Sequence, residues 1–321
     1  MVKKIIAFVA FGCTLFSSDV MSLYKNGGMK AIEKEIDRGL GDASYWMDIL
    51  ADQDLRFGYF ESTDTLLACS KEKSTLELYT RDAQKHFVLL KRFSAFTGKY
   101  DGDKMTEGDR RTPIGIYALT QKKSNVDPFY GPMAFVTSYP NLYDRIRGKN
   151  GSGIWIHGVP EQGERNEFTK GCIVINNSDL VHLDHTINPA TTVLIIDSQI
   201  QPKHDLSPYS TIMGELYRWR YAWMYNDFNT YLSFYGPSFK RFDGMDLNQF
   251  KLYKQQIFAK NESKSIVLKN IQIVPYPGDQ SNLYLITFEE LYQADTHRFN
   301  GTKTLMVTLN VDKSISILSE E

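Results

Sequence analysis

An excess of charge of either sign is what this chain most plainly lacks: 37 Lys plus Arg stand against 38 Asp plus Glu in 321 residues. A balanced surface makes no field that gathers polyanions, and no recognisable nucleic-acid module is present, so nucleic acid is excluded as a partner. Cysteine is scarce, with only Cys13, Cys69 and Cys172, too few for a disulfide-stapled scaffold. Beyond the first residues no apolar run approaches the roughly 18 needed to cross a bilayer, so no integral membrane span is expected. Metal-ligand sets are missing too. His182 and His185 lie three apart on a helical face near Asp179, without further ligands of matching spacing. Neither a metal nor another cofactor is assigned.

What is present describes an ordinary globular protein, 42% hydrophobic and 13% aromatic, long enough for two or three compact units. Residues 1–18 read as a secretory signal: Lys3 and Lys4 form a basic start, and Ile5 to Phe16 an apolar stretch too short to span. Cys13, in Ala10-Phe11-Gly12-Cys13, lacks the aliphatic residue expected upstream of a lipid-anchored cysteine. Cys69 sits in the apolar run Leu66-Leu67-Ala68-Cys69 and reads as a buried thiol. Cys172 is therefore the cysteine to explain.

Four segments are expected: a signal at 1–18, a helical unit at 19–62, a strand-rich unit at 63–200, and an α+β unit at 207–321. In the second, Met29, Ile32 and Ile36 have helical spacing, and Tyr45, Trp46, Ile49 and Leu50 form another apolar face. So small a unit cannot bury both faces alone. It must pack on the next domain or form a symmetric homodimer through these helices. In the third, short strands are expected at 66–70, 75–80, 87–96, 114–120, 134–138, 153–156, 172–175 and 191–196. A helix capped by Ser178 or Asp179 follows the cysteine. Residues 201–208 read as a linker. Beyond it, Ile212, Leu216, Trp219 and Trp223 form one helical stripe, and Leu247, Phe250, Ile257 and Phe258 another. Strands follow at 265–274, 283–292, 304–309 and 315–318, which makes an α+β unit. Trp219, Tyr221, Trp223, Tyr225, Tyr231 and Tyr235 crowd one segment. Core packing is the first reading for the tryptophans, with glycan contact as a minor one.

The chemistry concentrates in two short motifs. Ile154-Trp155-Ile156-His157-Gly158 precedes Thr169-Lys170-Gly171-Cys172-Ile173-Val174, with His157 and Cys172 fifteen positions apart. A thiol is a strong nucleophile only as thiolate, and a nearby imidazole is the usual means of making one. Adjacent glycines let the backbone approach a substrate closely. The backbone N–H groups of Gly171 and Cys172 are placed to form an oxyanion hole. Arg110, Arg111, Lys149 and Lys170 flank the motifs as candidate receptors for substrate carboxylates. Thr169 and Trp155 are candidate substrate contacts beside them. A papain-like arrangement is excluded by order, because here the histidine precedes the cysteine.

These motifs resemble those of the YkuD-type L,D-transpeptidases, in which a His-Gly pair precedes a Ser/Thr-x-Gly-Cys-aliphatic sequence. Thr112-Pro113-Ile114-Gly115-Ile116-Tyr117 and Tyr139-Pro140-Asn141-Leu142-Tyr143-Asp144 add two further matches in register, and together they cover roughly residues 63–200. Lys170 stands where many members have His, and Val174 where many have Arg or Asn. The resemblance implies a β-rich, mixed α/β catalytic domain, and the C-terminal unit resembles an NTF2-like domain. It implies Cys172 as nucleophile, His157 as base, and the carbonyl of Gly158 as the group that orients the imidazole. The three-part layout is similar to the cell-shape-determining L,D-carboxypeptidases of helical bacteria. That implies periplasmic hydrolysis of the terminal D-alanine from peptidoglycan tetrapeptide stems. Formation of 3-3 crosslinks or attachment of proteins to the wall is the first alternative, and a wall- or glycan-binding scaffold the second.

Overall fold

The computed structural model describes residues 2–160, 168–278 and 281–321, with side chains from Asp19 onward. The expected signal, Cys13 included, lies outside the described side chains. Helix α1 (Val2–Leu40) is interrupted at Gly28, whose φ of 66° is non-helical. Helix α2 (Ala43–Leu50) starts at Asp42, whose carboxylate accepts the Ser44 N–H at 2.9 Å. This satisfies one of the amides that a helix start leaves unpaired. The two-residue strand β1 (Tyr59–Phe60) follows.

Short alternating segments then build the middle unit: β2 (Thr65–Ser70), β3 (Thr75–Arg81), β4 (Phe87–Ser94), β5 (Gly115–Lys123), β6 (Ala134–Thr137), α3 (Leu142–Ile146), β7 (Trp155–His157), β8 (Ile173–Val174), α4 (Asn177–Thr186) and β9 (Thr192–Asp197). All eight expected strands form, in the order β4-β3-β2-β9-β5-β6-β7-β8. Cys69 is fully buried in the core of this unit, and burial pushes its thiol up to about 12. The cap of α4 is Asn176 rather than Ser178 or Asp179. Asp179 instead pairs with Lys91 at 2.9 Å, and His182 packs edge-on against Phe93.

The C-terminal unit comprises α5 (Leu206–Met224), α6 (Phe228–Ser233), β10 (Tyr235–Arg241), α7 (Leu247–Ala259), β11 (Lys264–Pro275), β12 (Leu283–Ala294), β13 (Arg298–Leu309) and β14 (Ile315–Glu320). Its sheet runs β1-β11-β12-β13-β14-β10. Trp219, Trp223, Tyr231 and Tyr235 are buried core residues of this unit.

Two features of the N-terminal segment depart from an all-helical unit packed on the catalytic domain. Strand β1 joins the C-terminal sheet, with Tyr59 opposite Ile273 and Phe60 opposite Gln272. Helix α2 lies on α5, where Trp46 stacks on Tyr217 at 5.2 Å and donates its indole N–H to the Leu40 carbonyl at 2.7 Å. The physical reason is a gap in α5. A Cβ on Gly214 would stand 3.1 Å from the Ala43 nitrogen, so glycine lets the helices approach this closely without displacing the α2 backbone. Arg220 of α5 also pairs with Asp37 of α1 at 2.7 Å.

A third buried cluster joins the two sheets, with Phe60, Leu66, Phe87, Ile116, Tyr276 and Met306 among its members. The catalytic sheet is thereby mounted on the C-terminal sheet through a shared core rather than a flexible tether.

Candidate active site

Strands β7 and β8 pair in parallel, Ile156 opposite Ile173 and His157 opposite Val174. Successive side chains on a strand point to opposite faces. Ile156, Ile173 and Ile175 thus enter the core, where all are fully buried. Trp155 and His157, and Cys172 one residue ahead of β8, take the other face. Strand spacing and rise put the His157 and Cys172 Cα atoms about 8 Å apart, within reach for an imidazole and a thiol.

Nδ1 of His157 lies 2.8 Å from the carbonyl oxygen of Gly158. A carbonyl only accepts, so Nδ1 carries the proton and the basic lone pair sits on Nε2. This is the tautomer a general base for a thiol requires. The Gly158 peptide is itself held: its N–H donates to the Tyr130 carbonyl at 2.9 Å, and the next N–H, of Val159, donates to Asn177 Oδ1 at 2.8 Å. The Tyr130 ring stands nearly perpendicular to the imidazole, 4.9 Å between centroids.

The nucleophile side is fixed by a tight turn. Thr169 Oγ1 donates to the Cys172 carbonyl at 2.7 Å and accepts the Gly171 N–H at 2.9 Å. Gly171 has φ 136°, and a Cβ there would stand 2.7 Å from the Arg111 carbonyl oxygen, so the position requires glycine. Thr112, fully buried, donates to the Gly171 carbonyl at 2.9 Å and accepts the Gly98 N–H at 2.8 Å. Thr112 thus ties the Thr-Pro motif directly under the cysteine turn.

The Cys172 thiol is half-buried and donates to the Gly153 carbonyl at 3.4 Å. Burial pushes the thiol up, and this outweighs the opposing pull of the Trp155 backbone and the Lys104 charge. A base that takes the thiol proton is therefore needed when it attacks. Lys104 is buried and bonded to Asp109 Oδ1 at 2.8 Å. Burial raises the Asp109 carboxyl, but Lys104 and the N–H groups of Met105, Arg111 and Thr106 outweigh it and hold it well below the usual carboxylate range.

The remaining flanking residues divide by exposure. Arg110, with φ 56°, and Lys170 are exposed beside the turn, and Arg111 is half-buried with an Nε that has no hydrogen-bond partner among the described residues. Trp155 is half-buried and lies under the Lys123 ammonium, 4.8 Å from ring centre to nitrogen. Thr169 is engaged within the turn. Lys149 is no carboxylate receptor, because its ammonium is buried between Asp103 at 2.7 Å and Asp144 at 2.8 Å. The Gly171 N–H is committed to Thr169, whereas the Cys172 N–H makes no hydrogen bond among the described residues. Sequence reading missed Tyr130, Lys104, Asp109 and the bond made by Asn177. The turn-forming run Pro128-Phe129-Tyr130-Gly131-Pro132 was the available signal for the first.

Residues 64–195 match the YkuD family model, an L,D-transpeptidase catalytic domain, and residues 211–321 match the Cds6 C-terminal NTF2-like domain. The helical cell shape determining protein Pgp2 of Campylobacter jejuni is 34% identical with a TM-score of 0.80, over 88% of this chain and 99% of that one. Bd1075 of Bdellovibrio bacteriovorus is 26% identical with a TM-score of 0.66, over 84% of this chain and 96% of its own. YafK of Escherichia coli (strain K12), named for L,D-transpeptidase activity, is 25% identical over 174 residues. That match spans 54% of this chain and 64% of YafK.

Proposed function

Because the chain belongs to the YkuD L,D-transpeptidase family, we propose that it is a thiol-dependent peptidoglycan L,D-carboxypeptidase. The observation that carries this reading is the His157 tautomer fixed by Gly158, on the strand face shared with Cys172. Nε2 of His157 takes the thiol proton as Cys172 Sγ bonds to the carbonyl carbon between a stem's diamino acid and its terminal D-alanine. The C–N bond then breaks, the imidazolium protonates the leaving amine, and D-alanine departs. His157 next takes a proton from water, which attacks the thioester and releases the tripeptide stem and the thiol. The Cys172 N–H, directed at the oxyanion, is the remaining backbone donor of the expected pair.

Arg110 and Lys170, both exposed, would receive stem carboxylates, with the half-buried Arg111 as a further cation and Trp155 as an apolar contact. Thr169 acts on substrate only through the turn it holds. Likeness to Pgp2 over nearly all of that protein supports a role in cell shape, and export to the periplasm follows if residues 1–18 act as the secretory signal their basic start and short apolar stretch suggest. The exposed Met21, Tyr24, Met29 and Ile36 of α1 favour a homodimer through that helix.

Transfer to an amine is the second reading, favoured by the name of YafK. Concentrated amine acceptor added to a tetrapeptide digest separates the two. Hydrolysis leaves monomeric tripeptide as the product, whereas a 3-3 crosslinked dimer as the main product belongs to transfer.

A further inference from the structure

Tyr130 meets the base with its ring and the base's carbonyl partner, Gly158, with its backbone. It ends a short 3-10 turn (Pro128–Tyr130) whose start is capped by Asp127, the carboxylate accepting the Phe129 N–H at 2.9 Å. The turn leaves Phe129 61% exposed and delivers Tyr130 inward. Side chains two apart on one strand face stand about 6.6 Å from each other. Trp155 and His157 are such a pair, and the Tyr130 ring lies against both, at 5.1 Å and 4.9 Å between centroids. Its carbonyl meanwhile accepts the Gly158 N–H at 2.9 Å.

The Nδ1–carbonyl bond that sets the tautomer has two ends, the imidazole and the Gly158 peptide. Tyr130 restrains the first with its ring and the second with its backbone. Gly131 makes the approach feasible: with φ 73°, it would bring a Cβ to 3.0 Å from the Gly158 Cα. Aromatic rings in edge-to-face contact contribute about 0.5–1.5 kcal/mol beyond area burial, enough to bias a ring among its rotations. The Tyr130 hydroxyl makes no hydrogen bond among the described residues, so the ring rather than the oxygen is the acting part.

We propose that Tyr130 is the positioning residue that holds the His157 imidazole in its base-competent orientation. This rests on the reading of His157 as the base that activates Cys172. It is tested by the rate of Cys172 alkylation with iodoacetamide from pH 5 to 9, which needs no peptidoglycan, alongside turnover of tetrapeptide. Tyr130→Ala is expected to flatten the imidazole-dependent part of the alkylation profile towards that of His157→Gln. It is also expected to lower kcat by at least about tenfold, with KM shifting less than about threefold. Tyr130→Phe is expected to restore both. Tyr130→Leu, which keeps apolar bulk without a flat ring and guards against simple unfolding, is expected to behave as the alanine variant does. A wild-type profile in Tyr130→Leu, or Tyr130→Phe as impaired as Tyr130→Ala, would overturn the role of the ring. An unchanged profile in His157→Gln itself would remove the base and the positioning role together.

Discussion

The Asn177 side chain closes on Gly158 with no room for a side chain between them: a Cβ on Gly158 would overlap Oδ1 of Asn177 and stand 3.2 Å from its Cγ. That oxygen is the acceptor for the Val159 N–H, so the amide cannot move aside without leaving a backbone donor unpaired. Gly158→Ala should therefore cost about 1–3 kcal/mol of stability, as overpacking does. It should also lower activity by about tenfold or more through the displaced carbonyl. Asn177→Ala in the same background should recover part of the stability. Thermal melts of the single and double variants check this, and additive losses would show that the two residues are not in contact.

The two described cysteines should separate cleanly. Cys172→Ala should abolish turnover with the fold unchanged, because the acyl chain is carried on this thiol while the Thr169 hydroxyl is engaged within the turn. Cys69→Ala, in the fully buried core of β2, should keep its kcat and lose about 1–2 kcal/mol of stability. Appreciable turnover by Cys172→Ala would refute the thiol mechanism.

Much of this architecture is legible in the residues themselves. The eight strands of the catalytic sheet announce themselves by short apolar runs or alternation between turn clusters, and His157 and Cys172 by their glycine neighbours. Strand β10 escapes because Gly236 and Pro237 lie inside it. It lies beside β14 at the sheet edge, where a missing N–H is tolerated. Strand β1, two residues long, is too short to show a period. In the site, Tyr130 and Asn177 escape for another reason. Each meets His157 or its neighbour across a long stretch of chain, and no local pattern encodes such contacts. Lys149 misleads because a flanking cation looks alike whether solvated or buried between two carboxylates.

Helix α1 leaves Met21, Tyr24, Met29 and Ile36 between 55% and 70% exposed, while α2 uses Trp46 and Leu50 on its own α5. A symmetric dimer through α1 is the expected means of covering them. Sedimentation should give a dimer at micromolar concentration, and Met29→Glu with Ile36→Glu should give a monomer that keeps Cys172 reactivity. Monomeric wild-type protein would contradict it.

Acid should weaken the C-terminal unit through Glu320. Burial raises this carboxyl, but Lys303 and Lys254 outweigh it, aided by hydrogen bonds from Lys303 at 2.6 Å and Tyr235 at 2.7 Å, and hold it at about 2. A carboxyl lowered in the folded state contributes stability above its ordinary value of 4.5, and that stability is lost as pH falls towards about 2. The contribution is about 3 kcal/mol. Denaturant melts between pH 2 and 7 should show this decline. Glu320→Gln should flatten it while lowering stability at pH 7, because a buried cation then lacks its partner.

Thiol-dependent carboxypeptidase activity would be read out by mass spectrometry of disaccharide tetrapeptide incubated with the protein and, in parallel, with Cys172→Ala. Loss of one D-alanine to give disaccharide tripeptide as the main product, with no conversion by the variant, is the expected result. Intact tetrapeptide after incubation with folded wild-type protein whose Cys172 is reactive to iodoacetamide would contradict it.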